Sequence, residues 1–254
     1  MTLEIAETCV GCGACVKDCP AGVLKMEAGR VLAKKPEACI ACLHCVAVCS
    51  AGALTLNGVS AAQCATEAAL PKPEEVKNLI RQRRSIRQFA PEDLSRAEID
   101  ELLGVLAYAP TGCNMRTTEF LVIECRAKVE DFKTRMVALL KERFETLPEF
   151  LRGPVLACLK HPEADPFFRH APHLLIAHAR EGAVTPVEDC VAACAYFDVL
   201  TKGCGYGATW CGFLKMIVDA VPEVIELIGL PRGTVFYAML FGRPAVAYSR
   251  IPLR

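Results

Sequence analysis

The sequence predicts an α+β protein of two domains, and three observations support this prediction. Two cysteine runs of identical spacing lie within the first 60 residues. After about residue 75, helical patterns alternate with short apolar runs, without the regular βαβ repetition of an α/β protein. The chain of 254 residues is too long for the cysteine-containing module alone, and the remainder is long enough to form its own core.

Each cysteine run has the spacing C-x2-C-x2-C-x3-C. Three thiolates on one tight loop can hold three irons of a four-iron cube, and in two-cluster modules the fourth cysteine of each run crosses to the other cluster. The spacing therefore predicts two [4Fe–4S] clusters. We assign cluster I to Cys9, Cys12, Cys15 and Cys49, and cluster II to Cys39, Cys42, Cys45 and Cys19.

Zinc and disulfides are the alternative uses of paired cysteine runs. Structural zinc takes four ligands in two short pairs, which eight cysteines at this spacing fit poorly. Disulfides need an oxidising compartment, and the N-terminus has neither the basic nor the apolar segment of a signal peptide. The first 60 residues resemble the two-cluster bacterial ferredoxins, because all eight ligand positions and Pro20 match, although Ser50 replaces a second proline often found there. This resemblance implies electron transfer.

Charge and hydropathy exclude two classes of partner. The formal net charge is zero, and no stretch concentrates Lys and Arg as a nucleic-acid-binding surface would. No apolar run reaches the roughly 18 to 20 residues that a membrane span requires. We therefore expect a soluble, cytoplasmic protein that binds neither nucleic acid nor membranes.

The border between the domains is expected near residue 72, because Pro71 and Pro73 discourage a helix across it. This gives a first domain over 1–60, a linker over 61–75 and a second domain over 76–254. Apolar periodicity predicts helices over 74–83, 95–109, 127–145, 186–202 and 222–228. Runs of β-branched and aromatic residues predict strands over 119–124, 174–179 and 234–241. The proline-rich residues 146–172 predict a lid, a segment exchanged between subunits, or a plain surface excursion.

Three segments of the second domain contain residues suited to binding a ligand. Residues 83–87 (RRSIR) place three guanidiniums and a hydroxyl at a predicted helix end, and such groups match the oxygens of a phosphate. Residues 109–114 (APTGCN) form a polar turn, and 203–213 place glycines where the backbone could lie against a planar ligand. Each alone is also typical of an ordinary helix end or loop. No strand is predicted before the glycines, so a Rossmann nicotinamide site is not supported.

In this order and spacing, these segments and the C-terminal FGRPA and SRIP stretches resemble the nitroreductase family of FMN enzymes, over about residues 76 to 254. The resemblance implies a sheet flanked by helices in an α+β sandwich, an obligate homodimer, and one FMN at each subunit interface. By motif, the FMN phosphate and ribityl chain would be held by Arg83, Ser85 and Arg87, with a further phosphate contact from Arg250. Asn114 would face the flavin ring, and backbone amides near Cys211 and Gly212 would point at its N5 edge.

Two stretches depart from the family pattern. Met115, Arg116 and Thr117 stand where many relatives have a Gln-Pro-Trp-like stretch, and Arg243 replaces a tyrosine between Gly242 and Pro244. In the family both stretches lie near the flavin or the substrate entrance, so the resemblance does not predict the acceptor. Arg116 and His170 are the candidates for orienting or protonating a substrate.

Several cysteines lie outside the two runs. Cys190 and Cys194 are one helical turn apart, and Cys158, Cys204 and several histidines are near them in the sequence. A third metal site is one interpretation of this group. Burial as small apolar side chains is the other, and the apolar helix favours it. Cys64 is likewise expected to be a small buried residue.

The two domains together predict the chemistry. A [4Fe–4S] cluster carries one electron, whereas a flavin accepts electrons singly and delivers two as a hydride equivalent. We expect an oxidoreductase that passes electrons from an external low-potential donor through two clusters to FMN, with a nitro compound, quinone or activated alkene as the small-molecule acceptor. NAD(P)H could be a supplementary donor or play no part. One alternative is an enzyme that oxidises or fragments a flavin-like or aromatic substrate, and another is an electron-carrier or redox-sensing flavoprotein without its own substrate.

Overall fold

The computed structural model describes residues 2–65 and 68–253, and they separate into two compact units. The first unit contains Met1–Leu70 and Cys113–Met115, and the second contains Pro71–Gly112 and Arg116–Arg254. The first passage of the chain between the units, from Leu70 to Pro71, lies within residues 61–75, and the chain passes between them again on either side of Cys113–Met115. Residues 66 and 67 of the predicted linker lie outside the described residues.

The first unit is built from short elements around the two cysteine runs. Its strands are β1 (Leu3–Ile5), β2 (Leu24–Glu27), β3 (Arg30–Ala33), β4 (Leu54–Leu56) and β5 (Val59–Ser60), and its helices are α1 (Ala14–Asp18) and α2 (His44–Ala47). Strands β1, β4 and β5 form one antiparallel sheet, and β2 pairs with β3. Val23, Val46 and Leu54 are buried between them, so apolar residues from both cysteine-containing halves form one small core.

The second unit carries one sheet and the longer helices. Its elements are α3 (Pro73–Gln82), α4 (Arg96–Leu106), β6 (Thr118–Ile123), α5 (Arg126–Glu142), α6 (Glu149–Lys160), β7 (His173–Ala179), α7 (Pro186–Gly203), β8 (Gly207–Trp210), α8 (Gly212–Ala220) and β9 (Phe236–Gly242). The strands are ordered β6-β7-β9-β8, and each neighbouring pair is antiparallel.

Helices cover both faces of this sheet. On the two central strands, β7 and β9, alternate residues enter two different cores. Ile176 and Leu240 pack with residues of α5, α6 and α8, whereas Leu175 and Met239 pack with residues of α4 and α7. A strand buried on both faces has no polar side, which is why residues 174–177 of β7 and 236–241 of β9 are continuous apolar runs in the sequence.

The structure differs from the sequence predictions at three places. A helix, α6, occupies the middle of residues 146–172, and its buried Leu151, Val155 and Cys158 hold it in place although Pro154 lies inside it. The glycine-rich segment 203–213 contains strand β8 and the beginning of α8, neither of which was predicted. The predicted helix 222–228 is a 3-10 helix that begins at Pro222. Across residues 2–65 and 68–253, no helix combines the length and apolar character needed to cross a bilayer.

Candidate functional site

Two small cavities in the first unit are each lined by four cysteines. One is lined by Cys9, Cys12, Cys15 and Cys49, and the other by Cys39, Cys42, Cys45 and Cys19. Each set joins three thiols of one run to the fourth thiol of the other run. All sixteen cysteines of the chain lie in the described residues, and all are free of disulfides.

The two cysteine loops share one backbone conformation. Gly11 and Gly13 in the first loop have φ of 66° and 74°, and Ala41 and Leu43 occupy the same positions of the second loop with φ of 51° and 62°. Glycine adopts this left-handed conformation without steric cost, whereas a residue with a Cβ does not. The second loop therefore carries backbone strain that the first avoids.

The environment of the thiols suits a thiolate-bound metal cluster. The N–H of Val23 donates to Sγ of Cys19 at 3.4 Å, and the N–H of Ala53 donates to Sγ of Cys49 at 3.3 Å. Burial raises the pKa of Cys15, and the nearby Cys49 adds to the effect. Four thiols held this close can all ionise only when a cation compensates their charge. The donor set therefore fits iron–sulfur ligation.

In the second unit, Arg83 lies against a buried carboxylate. Its Nη1 is 3.1 Å from Oδ2 of Asp198, a residue of α7 that is only 6% exposed. The same oxygen accepts a hydrogen bond from Nε1 of Trp210 at 3.1 Å. Burial raises the pKa of Asp198, and the bonds from Trp210 and Arg83 oppose this shift. One carboxylate thus joins the end of α3 to α7 and β8.

Sequence reasoning missed Asp198. The sequence does contain one indication of this role: Asp198 lies one helical turn after Cys194, on the apolar face of a predicted helix. A lone acidic residue on such a face needs partners, because an unpaired buried charge is costly.

Residues 85 and 86 run beside the start of β8. The N–H of Ile86 donates to the carbonyl of Ala208 at 2.9 Å, and Ser85 forms a parallel bridge with Ala208. Ile86 packs so closely on Gly207 that a Cβ there would lie 2.5 Å from its Cγ1. Glycine is therefore required at this position, and the RRSIR motif is fixed against the sheet. Arg87 is exposed.

A cavity of about 490 Å³ lies between the end of α3, α7, the start of β8 and the C-terminal segment. Its charged lining residues are Arg84, Asp198, Lys202 and Arg250. Because Asp198 is paired with Arg83, the lining keeps an excess of positive charge. Its volume is that of a small-molecule site, and its cations suit a phosphate. Of the predicted phosphate contacts, Arg250 lines this cavity, and Arg84 joins it in place of Arg83.

Tyr206, at the edge of this cavity, is held by an ionic network. Its hydroxyl donates to Oε1 of Glu98 at 2.8 Å, and Nη2 of Arg243 donates to the same oxygen at 2.5 Å. The guanidinium carbon of Arg243 lies 5.5 Å from the centroid of the Tyr206 ring. Hydrogen bonds from Ser95, followed by the bond from Tyr206, lower the pKa of Glu98 to about 2. Arg243, which departs from the family pattern, is therefore committed to this network.

Two of the groups predicted to face the flavin ring, the Asn114 side chain and the Cys211 N–H, donate to backbone carbonyls of the protein. Asn114 belongs to the first unit, where its Nδ2 donates to the carbonyl of Ile40 at 3.0 Å. The N–H of Cys211 donates to the carbonyl of Ala238 at 2.8 Å, so it extends the sheet. Gly212 begins α8, and the first N–H groups of a helix have no partner within it. Of the two predicted amides, that of Gly212 is the one left for a ligand.

The two candidate substrate-contacting residues lie on strained backbone. Arg116 and His170 are both exposed and have φ of 51° and 54°. The N–H of Arg116 donates to Oγ1 of Thr111 at 2.9 Å, and the N–H of His170 donates to Oδ2 of Asp165 at 2.7 Å. His170 lines a separate pocket with Arg126, so the structure does not bring it to the cavity that Arg250 lines.

The remaining cysteines are mostly packed in the core. Cys158, Cys190 and Cys194 are buried, and burial raises the pKa of Cys190 to about 11 and that of Cys194 to about 12. Cys204 is exposed, whereas Cys64 is half-buried and packs against the first unit's core. The buried members thus have the surroundings of small apolar residues.

Comparisons with known proteins identify both parts of the chain. The profile of the nitroreductase family matches residues 80–243, and that of the 4Fe-4S dicluster domain matches residues 1–50. A protein of Archaeoglobus fulgidus, provisionally named NADH dehydrogenase/NAD(P)H nitroreductase, is 24% identical over 170 residues, which are 66% of this chain and 83% of that protein.

Solved structures show the same fold in the second unit. A nitroreductase with bound FMN from Bacteroides fragilis is 22% identical, with a TM-score of 0.59 over 71% of this chain and 95% of its own. A nitroreductase with bound FMN from Desulfitobacterium hafniense is 17% identical, with a TM-score of 0.53 over 68% of this chain and 91% of its own. The predicted fusion and the predicted α+β fold class are confirmed.

Proposed function

Because the chain belongs to the nitroreductase family and carries a 4Fe-4S dicluster domain before it, we propose that this oxidoreductase takes single electrons from a low-potential donor and delivers them in pairs to a small electrophilic acceptor. Nitro compounds, quinones and activated alkenes are the acceptor classes. Two [4Fe–4S] clusters would supply one-electron carriers, and bound FMN would supply the exchange between one-electron and two-electron chemistry.

The observation that carries this proposal is the pair of crossed cysteine sets. Cys9, Cys12 and Cys15 would bind one cluster with Cys49, and Cys39, Cys42 and Cys45 would bind the other with Cys19. The backbone N–H groups of Val23 and Ala53 would remain bonded to the fourth sulfur of each set. Such bonds raise the potential of a cluster by stabilising the more negative, reduced state.

In the second unit, the cationic cavity supports FMN binding. Arg84, Lys202 and Arg250 would neutralise a phosphate, and the Gly212 N–H at the start of α8 would donate to the ring edge. Arg83 and Ser85 would complete the contacts to the phosphate and ribityl chain. FMN bound to the solved nitroreductases of similar fold supports the same choice of ligand.

A homodimer is part of the proposal, with FMN at the interface between subunits. Helix α7 is a long apolar helix, yet Val187 and Val191, which lie one turn apart on it, are exposed by 56% and 37%. An apolar helix face of this kind is typical of a surface covered by a second copy. Val191→Glu should therefore shift the sedimentation coefficient of the protein from dimer to monomer. Glu188→Gln on the same helix serves as the control, and a monomeric wild-type protein would contradict the dimer.

The electron route can be tested under anaerobic conditions. Wild-type protein should contain iron, sulfide and FMN, and reduced methyl viologen should bleach the flavin absorbance rapidly. A variant with Cys12→Ser and Cys42→Ser should lose cluster absorbance and show much slower bleaching, whereas Cys204→Ser should behave as wild type. If the flavin is reduced equally fast without clusters, the proposed route is wrong. NADH in place of the viologen tests direct reduction.

A panel of acceptors separates the enzyme from an electron carrier. A chain with full cofactor content that turns over nitroarenes, quinones or activated alkenes supports the proposed reaction. Full cofactor content with no turnover of any of them would favour the electron-carrier alternative.

A further inference from the structure

We propose that Asp198 is a positioning residue that orients Arg83 toward the phosphate of FMN. This proposal rests on the FMN binding proposed above and adds a residue that the family motifs do not include. The observation behind it is that a buried carboxylate joins Arg83, in the predicted phosphate motif, to Trp210, just before the predicted ring contacts at 211 and 212.

The geometry leaves part of the Arg83 guanidinium for a ligand. A guanidinium has five N–H donors in a planar fork, and Asp198 is contacted by Nη1. The side chain of Arg83 keeps 22% of its surface exposed, whereas that of Asp198 keeps 8%. Asp198 therefore anchors one edge of the fork from inside the protein, and the other edge remains for an anion. A guanidinium held in this way loses little freedom when the anion binds.

Asp198 also faces the cationic cavity, where a carboxylate would ordinarily oppose phosphate binding. Its two contacts remove this difficulty, because Arg83 balances its charge and the Trp210 indole satisfies Oδ2. If position 198 of α7 served only to pack the core, an apolar residue of the same size would be sufficient there. The carboxylate, which lines the cavity together with Arg84, Lys202 and Arg250, instead holds Arg83.

Trp210 provides a direct reporter of this arrangement. It is the single tryptophan of the chain, so the intrinsic tryptophan emission arises from the indole that donates to Asp198. A change at position 198 that breaks the hydrogen bond should shift the emission maximum even in protein without flavin.

The test compares FMN with riboflavin, which lacks the phosphate. Flavin-free protein with intact clusters is titrated anaerobically with each flavin, following the quenching of flavin fluorescence. Asp198→Asn should raise the Kd for FMN by about tenfold, the loss expected for one charge-assisted contact, while the Kd for riboflavin changes by less than about twofold. It should also shift the Trp210 emission. Glu188→Gln, which removes a negative charge from an exposed position of the same helix, should change neither.

Arg83 variants supply the second arm. Arg83→Lys keeps the charge but not the fork, and it should also weaken FMN selectively; it carries the test if Asp198→Asn does not fold. The double variant Arg83→Ala, Asp198→Asn should bind FMN no more weakly than Arg83→Ala alone, because the carboxylate acts through Arg83.

Equal weakening of FMN and riboflavin by Asp198→Asn, or additive losses in the double variant, would overturn the positioning role. Unchanged FMN affinity in Asp198→Asn would overturn it as well. A wild-type protein that binds no FMN would instead overturn the proposed function, and the inference with it.

Discussion

The hydroxyl of Tyr206 donates to the carboxylate of Glu98 at 2.8 Å, across 108 positions of sequence. This bond ties the first turn of α4 to the loop before β8, and Arg243 after β9 contacts the same carboxylate. Three segments therefore meet at one acceptor, and two of them, at Tyr206 and Pro244, border the cationic cavity. The carboxylate of Glu98 thereby holds Tyr206 in the cavity wall.

The Glu98 network predicts a loss of stability in acid. Hydrogen bonds to the ionised form lower the pKa of Glu98 to about 2 in the folded protein, below the value of about 4.3 expected in an unfolded chain. Its contribution is therefore complete above the unfolded pKa and is lost as the pH falls toward the folded one. Urea unfolding followed by Trp210 emission should show Glu98→Gln less stable than wild type at pH 7. The difference should shrink as the pH approaches 3, and a difference that grows in acid would contradict the assignment.

The effect of replacing a glycine by alanine on the free energy of unfolding should depend strongly on its position, as Gly207 and Gly104 show. Gly207→Ala would push a Cβ into Ile86, and overpacking of this kind costs about 1–3 kcal/mol. Gly104, inside α4, has open space where a Cβ would lie, so Gly104→Ala should stabilise the second unit by about 0.5–1 kcal/mol through helix propensity. Urea midpoints measure both changes. Similar effects of the two substitutions would show that the Ile86 contact is unimportant.

The crossed cysteine sets predict which thiols each variant exposes. Cys19→Ala should abolish the cluster on Cys39, Cys42 and Cys45, because it removes the fourth ligand of that set. Alkylation of native protein followed by mass spectrometry should then label those three thiols and leave the Cys9 set protected. Cys49→Ala should give the reverse pattern. If alkylation instead labels the other cysteines of the run that carries the substitution, the fourth cysteine of each run belongs to the cluster of its own run.

The cysteines outside the clusters should separate by burial. Burial raises the pKa of Cys194 to about 12 and that of Cys190 to about 11, so very little thiolate is present at pH 8. Iodoacetamide should label the exposed Cys113 and Cys204 in native protein and should reach Cys190 and Cys194 only in denaturant. Rapid native labelling of Cys194 would show that α7 opens readily.

Sequence patterns predicted most of the elements that bury their side chains. Strands β6, β7 and β9 were predicted within about two residues of their ends, because apolar and β-branched runs fill both faces of the sheet. The repeated local spacing predicts the crossed cysteine sets, and the cysteines that line each small cavity are grouped in the same way. Both cases depend on information contained within a few neighbouring residues.

The rest depended on contacts between distant residues. Glycines suggested a connection at 203–213, but Gly207 is required by the side chain of Ile86 and lies in a strand. Prolines suggested a loop at 146–172, but the buried face of α6 outweighs the hydrogen bond that Pro154 removes. The partner of Arg83 could not be predicted because Asp198 lies 115 positions away and belongs to no motif.

Each half of the first unit takes one cysteine of its set from the other half, Cys19 or Cys49. Neither half alone therefore contains a complete set of four ligands. A peptide with one cysteine run would supply ligands to only three of the four irons and would need the fourth cysteine from a second peptide. Two identical peptides could each supply the fourth cysteine of the other's set. Joining them end to end would place this exchange within one chain. Either half, cut from the other, would be expected to lose its metal and its shape at the same time.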